Sequence, residues 1–249
     1  MSNHEQTYAG KTTLITGASV GIGREIAEHL MAQGCHVISV ARRPLDIASD
    51  KVTSLCVDLA DRKAIKALAS EVAANHEVDI LINNAGVVRN TPIENVTEEE
   101  FDFLNDLHLW TAIQLTQAVI PHMKEQGFGR ILNMSSRAVV GMSQRTVYAA
   151  TKAAIISMTR TWGIELGPHG ITVNAIAPGI VTTDMVTGDI PEGSELAERI
   201  ASGLPRRRLG KPGDVARATL FFTDPLNDWV TGQTLFVCGG ASLGSLTIT

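Results

Sequence analysis

Cysteine is scarce in this sequence: Cys35, Cys56 and Cys238 are its only three, and they lie far apart along the chain. An odd number of scattered cysteines argues against a disulfide framework, and none of them has the spacing of a metal-binding pair. We therefore expect reduced thiols and a cytoplasmic protein.

Long hydrophobic runs, excess basic charge and clustered histidines are also missing. No apolar run approaches the roughly 20 residues that a membrane-spanning helix needs, and residues 1–11 are polar, without the apolar core of a signal peptide. The net charge of -5 argues against a nucleic-acid surface. The seven histidines form no His-x-x-His or His-Glu-x-x-His cluster, so we expect no metal site.

The composition suits one α/β domain, since 44% of the 249 residues are hydrophobic and 19% are charged. Strands are predicted at 12–16, 36–40, 52–57, 78–82, 130–134, 170–177 and 234–237. Helices are predicted between them at 24–33, 63–74, 106–125, 146–167 and 212–222, with a further one beginning near Thr97. This alternation predicts a single Rossmann-type domain over residues 1–249, a doubly wound parallel sheet of about seven strands flanked by helices.

A glycine-rich turn joins the first strand to the first helix, and a second strand completes a βαβ unit. Gly17, Gly21 and Gly23 give the spacing Gly-x-x-x-Gly-x-Gly. Glycines let the backbone approach a pyrophosphate, and the helix N-terminus offers free N–H groups with a partial positive charge. The pattern predicts a dinucleotide site; a tight turn without a ligand is the alternative.

The residues after the second strand predict which dinucleotide binds. Ala41 stands where an acidic residue would bind the ribose 2′-hydroxyl of NAD(H), and Arg42 and Arg43 come next. Arginine suits bidentate contact with a 2′-phosphate, so NADP(H) is favoured. Asp46 is close enough to keep NAD(H) possible, and solvated loop charges are the alternative for the two arginines.

Other segments carry groups that suit a cofactor or a substrate. Asp58 follows the third strand, where its carboxylate would accept a hydrogen bond from an adenine amino group. The next strand runs into residues 83–86, whose small and amide side chains leave room for a ligand, although an ordinary turn explains them equally well. Residues 188–203 are polar and bounded by glycines, so we interpret 188–210 as a candidate substrate lid.

Tyr148 and Lys152 are four residues apart in a predicted helix, so they share one face. An ammonium about 4 Å from a phenol is worth roughly 4 kcal/mol at an effective dielectric constant of about 20. That is enough to lower the pKa of a tyrosine from about 10 towards neutrality, so that it exchanges a proton with an alcohol or ketone oxygen. Ser136, at the carboxyl end of a strand, would hydrogen-bond that oxygen. The alternatives are a buried Tyr beside a surface Lys, and a turn Ser.

These motifs, in this order and approximate spacing, resemble the short-chain dehydrogenase/reductase superfamily. The matching positions are 16–23, 83–86, Ser136, Tyr148, Lys152, Asn174, Pro178 and Gly179. The resemblance covers about residues 10–240 and implies a Rossmann-type fold with nicotinamide-dependent interconversion of alcohols and carbonyls. It also implies a homotetramer that packs the two long helices, here about 106–125 and 146–167.

The resemblance implies a role for each matching residue. Tyr148 would be the general acid/base, and Lys152 would lower its pKa and bind the nicotinamide ribose. Ser136 would orient and polarise the substrate oxygen, with Ser135 as the alternative. The residues expected along the phosphates and ribose are Gly17, Ser19, Gly21, Ile22 and Gly23. Those expected from the adenine to the nicotinamide carboxamide are Asp58, Leu59, Asn83, Ala85, Gly86, Pro178, Gly179, Val181 and Thr183.

One position departs from the family pattern. Many members carry an asparagine in the long central helix that holds a water of the proton relay, and alignment of residues 116–119 places His108 there. A neutral imidazole offers one donor and one acceptor, and it titrates near pH ~6.5. We hypothesise that His108 continues the relay through water; a helix histidine with a packing role is the alternative.

The sequence therefore predicts an oxidoreductase that transfers a hydride between NADP(H), or NAD(H), and a small carbonyl or secondary alcohol. A 3-oxoacyl-thioester reductase is the main alternative within this class, and the basic run 206–208 does not decide between them. From another class, the alternative is a non-catalytic dinucleotide-binding sensor or scaffold. His108 mildly favours that alternative, whereas the intact Ser136, Tyr148 and Lys152 argue against it.

Overall fold

The structure is a computed structural model that describes residues 7–188 and 190–243, apart from the side chains of Asp184 and Met185. The strands are β1 (Thr12–Thr16), β2 (His36–Ala41), β3 (Val52–Cys56), β4 (Ile80–Asn83), β5 (Gly129–Met134), β6 (Ile171–Pro178) and β7 (Thr234–Val237). The α-helices are α1 (Gly21–Ala32), α2 (Arg62–Asn75), α3 (Glu98–Asn105), α4 (Thr111–Gln126), α5 (Thr146–Leu166), α6 (Asp184–Thr187), α7 (Glu195–Gly203) and α8 (Pro212–Thr223). No helix in these described residues has the length and hydropathy to cross a membrane.

The seven strands form one parallel sheet in the order β3-β2-β1-β4-β5-β6-β7. From β1 the chain continues to β2 on one side, and from β4 it continues to β5 on the other side. A crevice therefore opens at the carboxyl ends of β1 and β4, where the two connections separate. The predicted Rossmann-type sheet is therefore confirmed. Strand ends differ from the prediction by at most two residues, as at β4, which begins at Ile80.

Two helical layers bury the sheet. On one face, α1 and α8 pack against the central strands, with Ile15, Leu30 and Val215 in one cluster. On the other face, α2, α4 and α5 pack against the sheet, and Leu14 and Leu115 belong to that second cluster. Neighbouring residues of a strand point to opposite faces, which is why Leu14 and Ile15 separate. Burial on both faces explains the nearly continuous apolar runs of these strands.

The long helix predicted at 106–125 is only partly regular. Residues Asp106–Trp110 form a π turn, in which the N–H of Thr111 bonds to the carbonyl of Asp106, and α4 begins after it. Gly127 ends α4 in the left-handed region, with a φ of +60°. Turns of the π type occur mostly as single-turn bulges at functional sites.

The chain leaves the sheet after β6 and returns to the helical layer at α8. The two ends of this segment are joined by an isolated β-bridge between Val181 and Gly210. The N–H of Thr182 also donates to the carbonyl of Gly210 at 2.9 Å. The polar region predicted as 188–210 contains α7, whose N-terminus is capped by Ser194. Ala197 is the buried residue of α7, so most of this helix faces solvent.

Candidate active site

A cavity of about 380 Å³ opens at the carboxyl ends of the central strands. Ligands of doubly wound parallel sheets bind at this position, because the connections that follow neighbouring strands run in opposite directions there and leave a crevice. Most of the residues predicted to react or to bind a cofactor line it, namely Gly17, Ser19, Gly21, Ile22, Gly23, Arg42, Arg43, Asp58, Leu59, Ala85, Gly86, Ser136, Tyr148, Lys152, Pro178, Gly179, Val181 and Thr183. Asn83 and His108 are not part of the lining.

The turn between β1 and α1 depends on its glycines. Gly17 and Gly21 adopt left-handed φ values of +70° and +58°. A Cβ at Gly23 would lie 2.3 Å from the carbonyl oxygen of Gly17, so a larger residue does not fit there. Val20 precedes α1 without a side-chain cap, and the first turn has no acidic residue. The free N–H groups of α1 therefore suit an anionic pyrophosphate.

Thr16 and Asn84 tie the ends of β1 and β4 together. The Thr16 hydroxyl oxygen accepts hydrogen bonds from the N–H groups of Asn84 and Ala85, both at 2.9 Å. The Asn84 side-chain amide donates to the carbonyl oxygens of Thr16 at 2.9 Å and Gly17 at 3.3 Å. Amide residues at 83–84 predict side-chain to backbone hydrogen bonds at this turn, but the role of Thr16 and the partner strand β1 are not visible along the chain.

The side chain of Asn83, predicted beside the cofactor, does not line the cavity. Its side chain is buried and donates to Oδ1 of Asn133 at 2.8 Å. Asn133 in turn donates to the Thr159 hydroxyl of α5 at 2.9 Å. Successive strand residues point to opposite faces, so Asn83 points towards α5 and the next residue, Asn84, reaches the cavity instead.

The cavity wall near β2 and β3 carries the residues predicted to meet the adenosine half. Arg42 and Arg43 are exposed and line the cavity. Among the described residues neither guanidinium has a hydrogen-bond or ion-pair partner, so both remain available to a phosphate. Asp58 holds its own loop, since its Oδ1 accepts from the N–H of Ala60 at 3.0 Å. Asp46, which kept NAD(H) possible, is exposed and lies outside the lining.

Tyr148, Lys152 and Ser136 meet in this cavity, between β5 and α5. Lys152 is buried, and its ammonium nitrogen donates to the carbonyl oxygen of Met134 at 2.8 Å. This nitrogen lies 5.9 Å from the centroid of the Tyr148 ring. The Ser136 oxygen accepts from the N–H of Ala138 at 3.1 Å. That bond fixes the hydroxyl oxygen, and the Ser136 hydroxyl also hydrogen-bonds Tyr148.

Ser135, the alternative to Ser136, is already engaged. Its hydroxyl is buried and donates to the carbonyl oxygen of Lys152 at 2.8 Å. This bond fastens α5 to the end of β5. Ser136, which lines the cavity and contacts Tyr148, is therefore the serine better placed to meet a ligand oxygen.

Burial decides the pKa values of the reacting pair. Desolvation lowers the pKa of Lys152 to about 7. Desolvation raises the pKa of Tyr148 above its usual value, while a hydrogen bond with Ser136 and the charge of Arg145 act in the opposite direction. The prediction that Lys152 brings the pKa of the tyrosine towards neutrality is therefore wrong for this arrangement. A lysine with a pKa of about 7 is only partly charged at neutral pH, so it stabilises the phenolate less than a full ammonium would.

His108 lies behind the cavity wall, buried between the π turn, α5 and the loop after β4. Its Nδ1 is 2.9 Å from the Thr151 hydroxyl, and its Nε2 accepts from the N–H of Val87 at 3.3 Å. Desolvation lowers the pKa of His108 to about 2, and the charge of Lys152 acts in the same direction. The expectation that this imidazole titrates near its ordinary pKa is therefore wrong, because it is buried beside a lysine.

The segment after β6 closes the cavity next to the glycine turn. Its lining residues are Pro178, Gly179, Val181 and Thr183. A Cβ at Gly21 would lie 3.3 Å from Cγ2 of Thr183, so the two loops are already close to contact. A Cβ at Gly179 would lie 2.8 Å from Cα of Cys238, so this passage beside β7 requires a glycine.

Apolar side chains that no motif marks also line the cavity. They are Val87, Val88, Phe103, Leu107 and Val186. They come from the loop after β4, from α3, from the π turn and from α6. Because only the tertiary fold brings these segments together, the sequence analysis missed them. Their surface suits an apolar part of a substrate.

Nearly the whole chain, including the residues that line this cavity, is similar to known proteins. A family model described as "Enoyl-(Acyl carrier protein) reductase" matches residues 17–242. BbsD, a subunit of (2S)-((R)-hydroxy(phenyl)methyl)succinyl-CoA dehydrogenase from Thauera aromatica, is 36% identical over 243 residues, covering 94% of this chain and 97% of that protein. The 3-oxoacyl-(acyl-carrier-protein) reductase FabG of Thermotoga maritima is 36% identical over 242 residues, covering 93% and 97%.

A solved structure shares the architecture. It is a putative NAD(P)-dependent gluconate 5-dehydrogenase from Beutenbergia cavernae with bound NADP. Its TM-score is 0.88 at 32% identity, and the match covers 95% of this chain and 98% of that one. The similarity thus extends across the strands and loops that form the cavity.

Proposed function

The chain belongs to the short-chain dehydrogenase/reductase superfamily, and on that premise we propose that Tyr148 exchanges the proton in its reaction. The enzyme is an oxidoreductase that uses a nicotinamide dinucleotide to interconvert carbonyl and alcohol groups. This membership sets aside the alternative of a non-catalytic sensor or scaffold. One observation carries the proposal: Tyr148, Lys152 and Ser136 share a cavity with an uncapped helix N-terminus.

The residues of the glycine turn fit a dinucleotide. The cradle around Gly23 has no room for a Cβ, and the N-terminus of α1 has neither a side-chain cap nor an acidic residue. Ser19, Ile22 and these N–H groups would hold the phosphates, Asp58 would meet the adenine, and Lys152 would bind the nicotinamide ribose. When bound, the nicotinamide supplies or accepts the hydride.

NADP(H) is the cofactor that we favour. The carboxyl end of β2 offers Arg42 and Arg43 to the cavity, and neither is neutralised by another described residue. A 2′-phosphate would satisfy them, whereas a 2′-hydroxyl would leave them without a partner. NAD(H) remains the second candidate. Titration with NADPH and NADH compares the two directly, and tighter binding of NADPH supports this preference.

Tyr148 would protonate the carbonyl oxygen when the enzyme works as a reductase, and would accept that proton in the reverse reaction. Its raised pKa keeps the phenol protonated near neutral pH, which suits a proton donor. Ser136 would donate a hydrogen bond to the same oxygen and so stabilise the charge that develops there. Lys152, anchored on the carbonyl of Met134, would orient the cofactor rather than ionise the phenol.

A small ketone or secondary alcohol is the first candidate substrate, and a carrier-bound 3-oxoacyl thioester is the second. The second is favoured by the names of the two relatives, a subunit of a (hydroxy(phenyl)methyl)succinyl-CoA dehydrogenase and a 3-oxoacyl-(acyl-carrier-protein) reductase. The apolar lining from Val88, Phe103 and Leu107 would accept an acyl chain. A panel of free ketones and 3-oxoacyl thioesters separates the two candidates.

The region 188–210 remains our proposal for a substrate lid. Its base is fixed at the bridge between Val181 and Gly210, while α7 buries little of its surface. A segment that is anchored at its ends and weakly packed between them is suited to close over a ligand. Val186, just before the region, already lines the cavity.

A cytoplasmic homotetramer that packs α4 and α5 is our proposal for location and assembly. Cys35, Cys56 and Cys238 are free thiols, as expected for a reducing compartment. The outer face of α5 exposes small side chains, among them Ala150 and Ala153, which permit close helix packing. Sedimentation analysis would test the oligomeric state.

Tyr148→Phe is the experiment that tests the proposed function. The substitution removes the phenolic proton and keeps the ring, so turnover should fall at least about 10²-fold. NADPH binding should be largely kept, because the glycine turn and the arginines are untouched. Reduced-nicotinamide absorbance across the carbonyl panel measures turnover, and fluorescence titration measures binding. Turnover close to that of the wild type would refute the assignment.

A further inference from the structure

The π turn Asp106–Trp110 carries a histidine that the proposed chemistry does not use directly. His108 is 3% exposed and lies outside the cavity lining. Its ring stands edge-on to that of Tyr148, with 5.7 Å between the centroids and 77° between the planes. It therefore lies behind the catalytic tyrosine, between α5 and the loop after β4.

Two neighbours fix which ring nitrogen carries the proton. The N–H of Val87 is always a donor and lies 3.3 Å from Nε2, so Nε2 is the unprotonated nitrogen. On the other side, Nδ1 lies 2.9 Å from the hydroxyl oxygen of Thr151. That hydroxyl donates its own proton to the carbonyl of Tyr148 at 2.9 Å, so it accepts from Nδ1–H. A hydrogen-bonded chain thus runs from Val87 through His108 and Thr151 to the backbone of Tyr148.

The groups around the ring oppose a positive charge on it. Lys152 and Tyr148 face it from α5, Gly86 and Val87 of the loop after β4 carry no charge, and Asp106 of its own turn is paired with an arginine of α2. A Cβ at Gly86 would lie 3.0 Å from Nε2 and 3.3 Å from the nitrogen of Lys152, so histidine and lysine flank one glycine. Burial and this lysine lower the pKa of His108 to about 2. The ring is therefore neutral at physiological pH.

We propose that His108 is a positioning residue that, as a neutral imidazole with its proton on Nδ1, holds the loop after β4 against α5 and neither gains nor gives up a proton during the reaction. This role replaces the relay that we hypothesised from the sequence. One hydrogen bond holds the N–H of Val87, next to Gly86 in the cavity wall, and the other holds the Thr151 hydroxyl, which itself bonds the carbonyl of Tyr148. A shift of either would misplace the phenol. The inference rests on the proposed role of Tyr148.

Nuclear magnetic resonance reads the tautomer without any substrate. In protein with isotope-labelled histidine, the imidazole resonance that is missing from His108→Asn belongs to His108. We expect a neutral ring protonated on Nδ1 throughout about pH 5 to 9, with and without NADPH. A ring that is protonated on Nε2, or that gains a proton within this range, would overturn the proposal whatever the activity of the enzyme.

Thr151 provides the kinetic test, because its hydroxyl links His108 to Tyr148. Thr151→Val removes the acceptor and should lower kcat about 10-fold by misplacing the tyrosine, whereas Thr151→Ser keeps the hydroxyl and should recover most of that loss. His108→Ala should lower kcat but leave the apparent pKa values of the pH–rate profile unchanged. A shifted apparent pKa in His108→Ala, or equal losses in the two Thr151 variants, would contradict the proposal.

A double variant tests whether the two side chains act as one unit. His108→Ala combined with Thr151→Val should lower kcat no more than the worse single substitution, because each already breaks the same chain. Losses that multiply would show independent roles and overturn the proposal. If Tyr148→Phe instead retains wild-type turnover, the proposed function fails while the resonance measurement still decides the tautomer, so the two failures are distinguishable.

Discussion

The two ends of the active-site cavity are built in different ways. The cofactor end is fixed by partly buried hydrogen bonds of Thr16 and Asn84, and by a glycine turn that has no room for a side chain at Gly23. At the other end, the proposed substrate lid 188–210 is anchored at the bridge between Val181 and Gly210, and α7 packs loosely within it. One end is preorganised for a constant ligand, and the other is suited to move.

This difference matches what each end would have to recognise. A dinucleotide has the same phosphates in every turnover, so a rigid cradle loses no free energy to ordering when it binds. A substrate must enter and leave, and low local stability permits that movement. We therefore expect substitutions at the cofactor end to change NADPH affinity or the global free energy of unfolding. Equivalent substitutions in the proposed lid should change only the local stability of that segment.

Two glycine substitutions should show the largest contrast. Gly23→Ala places a Cβ 2.3 Å from the carbonyl oxygen of Gly17, so the turn must deform. We expect NADPH affinity to fall at least about 10²-fold, equivalent to about 3 kcal/mol of overpacking. The matched control is Gly203→Ala, where a Cβ would meet no atom within 4 Å, and it should leave NADPH affinity nearly unchanged.

Fluorescence titration measures both affinities, and thermal melting monitored by circular dichroism shows whether each variant is folded. Similar NADPH affinity in the Gly23 and Gly203 variants would mean that the cradle tolerates a side chain. The proposed rigidity of the cofactor end would then be wrong.

Prediction from the sequence succeeded where the spacing of residues along the chain itself determines the geometry. Gly17, Gly21 and Gly23 mark a strand-to-helix turn by local spacing, and helical periodicity alone puts Tyr148 and Lys152 on one face. It failed where distance and burial decide. The side chain of Asn83 points to α5 and that of Asn84 to the cavity, a choice fixed by where β4 ends.

The electrostatics of the site show the same limit. Spacing in a helix predicts that a lysine lies near a tyrosine, but not that both are desolvated. Burial reverses the expected direction for Tyr148, whose pKa is raised, and it lowers the pKa of His108 to about 2. The π turn that orients His108 has no signal in residue types, because it depends on how α3 and α4 meet.

The buried Lys152 should make stability depend on pH. Its pKa is about 7 in the folded protein and about 10.4 in an unfolded chain. Between these values the unfolded chain binds more protons, so this group makes the free energy of unfolding rise with pH, by at most about 1.4 kcal/mol per pH unit. The free-energy cost of burying the ammonium is fully present below the folded-state pKa of about 7. It is absent above the unfolded-state pKa of about 10.4.

Lys152→Met removes this cost, so its free energy of unfolding relative to wild type should be most favourable near pH ~6.5 and decline towards pH ~9. Urea unfolding at each pH measures the difference between the two proteins, which cancels other titrations. Lys63→Met, at an exposed position of α2, is the control for loss of one positive charge. Curves for wild type and Lys152→Met that stay parallel across this range would contradict the buried charge.

Substitutions of the N-cap residues of α2 and α7 should have the smallest effects, and they test whether α7 is less firmly packed than the rest of the protein. Ser194 caps α7 by accepting from the N–H of Ala197 at 3.2 Å, and Asp61 caps α2 by accepting from the N–H of Lys63 at 2.8 Å. Either replacement by alanine should cost about 1 kcal/mol. The difference lies in where that loss appears, because α2 buries Ile65, Leu68 and Val72 whereas α7 buries Ala197.

Ser194→Ala should therefore speed amide exchange in α7 about 5-fold while leaving the global free energy of unfolding and NADPH affinity unchanged. Asp61→Ala should instead lower the global free energy of unfolding, since α2 opens only with the core. Hydrogen exchange followed by mass spectrometry, together with urea unfolding, distinguishes the two patterns. If Ser194→Ala lowers global stability as much as Asp61→Ala does, then α7 unfolds with the core, and a segment that opens only with the core cannot serve as a lid.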